Sequence, residues 1–81
     1  MEIPHEVFVE CEVSEGVFSD EAVVRVADRS YVVPKGEVRA GTGSTKGRVR
    51  AKLVRSGGDE WVVLPTDYSE SVYKSRVTIV D

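Results

Sequence analysis

The chain has 81 residues with 14 acidic and 11 basic side chains, a formal net charge of −3. That length makes one small domain burying only ~60–65% of its unfolded surface, too little core to enclose a deep active site. The acidic balance argues against nucleic acid as a default partner, because phosphate neutralisation dominates such binding.

The sign of the charge is unevenly spread. Met1 to Glu21 holds seven acids and no Lys or Arg, whereas Ala22 to Gly58 holds nine basic residues against Asp28 and Glu37. Cys11 is the single cysteine and has no internal disulfide partner, which fits a reducing compartment. No apolar run approaches the length of a membrane span, and the start "MEIPHEVF" lacks the pattern of a signal peptide. The chain reads as soluble and cytoplasmic, with no membrane association.

Taken in chain order, Glu6 to Val13 alternates Val7, Val9, Cys11 and Val13 with Glu6, Phe8, Glu10 and Glu12, the signature of a half-buried strand. "EAVVRVA" and "SYVVP" follow as strand-like runs. The glycine-dense "GTGSTKG", Gly41 to Gly47, has the wrong order for a phosphate-binding loop, since Lys46 precedes Gly47 and another strand-like run. Arg48 to Val54 alternates again, with Val49, Ala51 and Leu53 opposite Arg48, Arg50 and Lys52. "EWVVLP" and "SVYKSRVTIV" complete an all-β pattern without helical periodicity.

The chain also matches itself. Asp20 to Arg39 laid without a gap on Asp59 to Thr78 gives nine identities in twenty positions, among them Val23 and Val24 on Val62 and Val63, Asp28 on Asp67, and Lys35 on Lys74. Two tandem β-repeats of about 39 residues follow from this: residues 5–40 and 48–81 of a single domain spanning 1–81, joined by a linker over 41–47. A unit that short cannot fold alone. The expected fold is a small six-stranded antiparallel barrel or sandwich with pseudo-two-fold symmetry, and an SH3-like barrel is the alternative on strand count and size.

Function follows from what this pattern leaves over. His5 and Cys11 stand too far apart along an extended strand to share a metal, so no metal or cofactor is expected. Cys11 sits on the apolar face and its counterpart in the second repeat is Ala51, which fits a packing role; Glu10 and Glu12 have no substrate pocket marked beside them, and the chain reads as non-enzymatic. The residues of a protein-binding module are the hairpin-tip pair Val17 and Phe18, the turn residue Tyr68, and the acidic flank of Glu10 and Glu12. Trp61, aligned with Ala22, reads either as core filling or as an exposed binding aromatic, a choice the sequence leaves open.

The alternative is a nucleic-acid-binding barrel using Lys46, Arg48, Arg50, Lys52 and Arg55, a run with no acid and no aromatic platform. Against it stands a structural role for the same residues. If the two first strands meet, Glu6, Glu10 and Glu12 face Arg48, Arg50 and Lys52 as cross-strand ion pairs. A third candidate is an anion site between Lys35 and Lys74, and an unpaired sheet edge would invite a second copy of the chain.

Overall fold

The computed structural model describes residues 5–15, 19–40 and 45–80. Val17, Phe18 and residues 41–44 of the expected linker lie outside the described residues. Eight strands form one antiparallel sheet curled into a half-barrel: β1 (His5–Glu15), β2 (Glu21–Val26), β3 (Arg29–Pro34), β4 (Val38–Ala40), β5 (Lys46–Ser56), β6 (Asp59–Val63), β7 (Ser71–Tyr73) and β8 (Ile79–Val80). Short 3-10 turns, Lys35–Glu37 and Lys74–Arg76, lead into β4 and towards β8.

The main path of the sheet is β3-β2-β1-β5-β6-β7, with β4 paired to β5 and β8 paired to β1. Six strands were expected; β4 and β8 are the additional two. Both are very short, below the length at which alternation can be seen.

At the centre, β1 and β5 pair over eight rungs, from His5 opposite Leu53 to Glu12 opposite Lys46. Each of these long strands gives its other edge to two neighbours in turn. Along β1, β8 pairs at Phe8 and Val9, and β2 takes over from Glu12 to Glu15. Along β5, β4 pairs from Gly47 to Val49, and β6 takes over from Lys52 to Ser56. This exchange of partners along one strand turns the sheet into a half-barrel. The last strand of each half thereby pairs with the first strand of the other.

The alternating residues of β1 and β5 that face inward are Val9, Cys11, Val49 and Ala51, all buried. Val24, Val26, Tyr31, Val33, Val62, Leu64 and Val72 complete the core cluster. Valine dominates because a β-branched side chain suits a pleated surface. The burial departs from the ungapped sequence match at β2 and β6, while Val33 and Val72 and the two 3-10 turns keep its offset. Val24 and Val62 are the fully buried pair, whereas Val23 and Val63 are only partly covered, so β2 and β6 correspond one residue away from that alignment. The paired rungs agree, Val13 standing opposite Val24 and Leu53 opposite Val62.

Two tight hairpin turns share a backbone geometry with different residues. Gly57 and Gly58 (φ 59° and 88°) join β5 to β6, while Ala27 and Asp28 (φ 50° and 66°) join β2 to β3. Positive φ at both central residues matches the twist of the flanking strands. The turn is centred on Ala27 and Asp28, and Arg29 and Ser30 belong to β3.

Lys46 and Gly47, read as linker from the sequence, are the first residues of β5. Gly47 is where β4 comes closest. A Cβ there would lie 2.6 Å from the Arg39 carbonyl oxygen and 3.0 Å from both Ala40 Cβ and Val13 Cγ2. The glycine thus serves close backbone approach rather than flexibility. Gly47→Ala is expected to lower stability by about 1–3 kcal/mol, the usual cost of overpacking, measured by urea denaturation; an unchanged midpoint would mean that β4 is not held there.

Candidate docking surface

Of the two readings the sequence leaves for Trp61, core or surface, its position on β6 favours the outer face. Val62 and Leu64 take the buried positions, and Trp61 stands in a rung between Val54 on β5 and Tyr73 on β7. Its ring stacks on Tyr73 with centroids 5.8 Å apart and planes at 30°. Tyr73 remains 53% exposed, so the aromatic pair forms part of the outer face. The corresponding rung of the first half carries Ser14, Val23 and Val32, with Val32 half exposed. The outer faces therefore differ in kind: aliphatic beside β2, aromatic beside β6.

Tyr68 is 88% exposed on the connection between β6 and β7. That connection is organised by its own hydrogen bonds. The Leu64 amide donates to the Glu70 carbonyl, the Ser69 amide to the Thr66 carbonyl, and the Glu70 amide to Thr66 Oγ1, at 2.8, 3.0 and 3.1 Å. Ser69 takes φ 49° within it. Tyr68 is thus presented on a structured turn, as its sequence position beside Asp67 and Ser69 suggested. Tyr73 was missed by the sequence reading because one aromatic in a three-residue strand gives no sign of which face it occupies.

The acidic and basic faces of the first strands do meet. In the β1–β5 register Glu6 stands opposite Lys52, Phe8 opposite Arg50, Glu10 opposite Arg48 and Glu12 opposite Lys46. Phe8 lies beneath two guanidiniums, with Arg48 Cζ 5.5 Å and Arg50 Cζ 5.9 Å from its ring centroid. Arg50 Nε also lies 3.7 Å from Glu37 Oε2. Arg55 belongs to the opposite strand parity, where its Nη2 donates to Glu60 Oε2 at 3.1 Å. Lys74 Nζ reaches Glu60 Oε1 at 3.4 Å. The Arg55 hydrogen bond, reinforced by Lys74, holds the Glu60 carboxyl below its ordinary range.

The five basic residues of the run therefore do not form one uninterrupted positive track. A groove lined by Glu6, Glu37, Arg50 and Lys52 over Leu64 and Pro65 carries both signs. Its counterpart in the other half, lined by Lys46, Arg76, Glu10 and Glu12 over Cys11 and Val26, carries them exchanged.

Among the described residues no group of three His, Cys, Asp or Glu is placed to hold a metal ion, and no helix is long and apolar enough to cross a membrane. No protein-family model matches the chain, and no curated protein or solved structure is significantly similar to it.

Cys11 is buried, and burial, with Glu10 adding to it, pushes its thiol up from 9.0 to about 11. The neutral thiol is a poor nucleophile at neutral pH. Because folding favours the protonated form, this contribution to stability is complete below pH 9 and is lost as pH rises towards 11. Denaturation midpoints should fall more steeply between those limits in the native protein than in Cys11→Ala; parallel curves would contradict the assignment.

Proposed function

We propose that the chain is a small non-enzymatic β-domain that docks a protein partner through exposed aromatic side chains, as an adaptor, accessory subunit or inhibitor would. The observation that carries the proposal is the outward aromatic surface: Trp61 stacked on a half-exposed Tyr73, with Tyr68 displayed on the hydrogen-bonded turn between their strands. Tyrosine and tryptophan supply large contact areas at low entropic cost and are enriched where binding energy concentrates. The acidic side chains of Glu10 and Glu12 remain exposed and would flank a partner reaching across the central strands. The same reading includes Val17 and Phe18, which follow β1 in the sequence.

The competing reading, nucleic-acid binding by Lys46, Arg48, Arg50, Lys52 and Arg55, meets an obstacle in the register. Four of these residues face β1, three of them opposite a glutamate, and the fifth is bonded to Glu60. Phe8, the aromatic among them, has guanidiniums over its ring rather than an open stacking face.

We also infer that the two halves descend from a duplicated unit. The sequence match, the repeated order of strands and 3-10 turn, and the reciprocal pairing of β4 with β5 and β8 with β1 support that history. Where the halves differ, the fold does not require the residue. Trp61 and Tyr73 against Val23 and Val32 are such a difference.

Affinity capture from lysate, with and without nuclease, tests the function. The native chain should retain its partner after nuclease and in added salt, since an apolar anchor is weakly screened. Tyr68→Ala and Tyr73→Ala should each reduce capture tenfold or more, with Tyr68→Ala leaving the melting temperature unchanged. Capture abolished by nuclease, and by Arg48→Glu in a folded protein, would replace this reading with the nucleic-acid one.

A further inference from the structure

The pairing of β4 with β5 sets Arg39 directly opposite Arg48. Like charges facing each other across strands are destabilising, and both guanidiniums are nevertheless held in place. Arg39 Nη1 donates to the Gly36 carbonyl at 2.7 Å and to the Val38 carbonyl at 3.1 Å. Arg48 rests over the Phe8 ring. Gly47, beside them, lets the β4 backbone approach closely: a Cβ there would lie 2.6 Å from the Arg39 carbonyl oxygen.

The fold does not demand this arrangement. In the reciprocal pairing of β8 with β1, Ile79 stands opposite Val9 as Val38 stands opposite Val49, and the next rung is Val80 opposite Phe8. One half thus fills with an apolar pair the rung that the other fills with two arginines.

An open groove runs past this rung, lined by Arg39, Lys46 and Arg48 with Ala40, Gly47 and Val80, and by Glu10 as its acid. Among the described residues, Lys46 stands opposite Glu12 and Arg48 opposite Glu10, whereas Arg39 faces only Arg48 across its rung. Glu10 faces Arg48 from the β1 side, so it offsets one cation, and Arg39 stands on the opposite edge. The geometry points to a binding site for a phosphate-class oxyanion between Arg39 and Arg48. The anion offsets the repulsion that the register imposes, and guanidiniums offer the paired donors its oxygens accept. This site is smaller than a nucleic-acid track and lies apart from the Trp61 and Tyr73 surface, so it stands or falls separately from the docking proposal.

Amide NMR titration of the whole chain with inorganic phosphate, at constant ionic strength set with chloride, tests the site. A phosphoserine pentapeptide titrated in parallel distinguishes a free anion from a modified protein. The shifts should saturate and centre on Arg39, Ala40, Gly47 and Arg48. Arg39→Gln and Arg48→Gln should each raise the half-saturating concentration at least fivefold, while Lys52→Gln, further along the same face of β5, leaves it unchanged. Tighter binding of the peptide assigns the anion to a phosphorylated partner, and equal binding assigns it to the free ion. Shifts that grow linearly without saturation overturn the proposal. So do shifts spread equally over Lys35, Arg55 and Lys74, or an affinity indifferent to Arg39→Gln in a variant whose spectrum shows it folded.

Discussion

Everything in the structure is referred to the pairing of β1 with β5. It is the longest ladder, and each of the two strands passes from one neighbour to another along its free edge. Because side chains alternate strictly, a slip of one residue would turn Val9, Cys11, Val49 and Ala51 outward and bring the charged set into the core. The register is therefore fixed by burial on one face. The opposition of unlike charges on the other face follows from it, and an exposed ion pair there adds no more than about 1 kcal/mol.

That constraint sorts the surface. Opposite signs meet along most of the central ribbon, so the basic strand, conspicuous in the sequence, loses much of its distinctness in three dimensions. What survives is at the margins, where β5 meets partners other than β1. On β6 and β7 the outer face becomes aromatic, and at β4 it becomes doubly basic. In both places the other half of the chain differs: aliphatic Val23 and Val32 stand against Trp61 and Tyr73, and apolar Phe8 and Val80 against Arg48 and Arg39. The mostly valine core holds no buried polar or charged residue among the described residues.

The long strands were legible because Glu6 to Val13 and Arg48 to Val54 alternate cleanly and because each has one face that must be buried. Their mutual pairing was legible from complementary charge. The two short strands were not, since β4 and β8 are defined by the neighbours they meet and not by any pattern of their own. The side of Trp61 was open for a related reason: its match to Ala22, which is buried, depends on β2 and β6 aligning without a shift, and the buried positions of β6 lie one residue away from that match. Gly47 illustrates the opposite error: a glycine in a glycine-rich run reads as a flexible link, whereas here close contact with the Arg39 carbonyl excludes any side chain. Tyr68 was read correctly because its neighbours specify a turn, and a turn exposes what it carries. The opposed arginines could not be foreseen, because Arg39 follows a 3-10 turn whose path the sequence does not specify.

Native-state amide hydrogen exchange tests most directly whether the central ribbon holds the fold. With β5 on one edge and β8 on the other, the amides of Phe8 to Cys11 should be protected together with those of Arg48 to Ala51, exchanging only when the whole protein unfolds. Their exchange free energies should equal the global stability, with lower values along β3 and β7. If the β1 and β5 amides instead exchanged as fast as those of Ser71 to Tyr73, the ribbon would not be the element on which the rest depends.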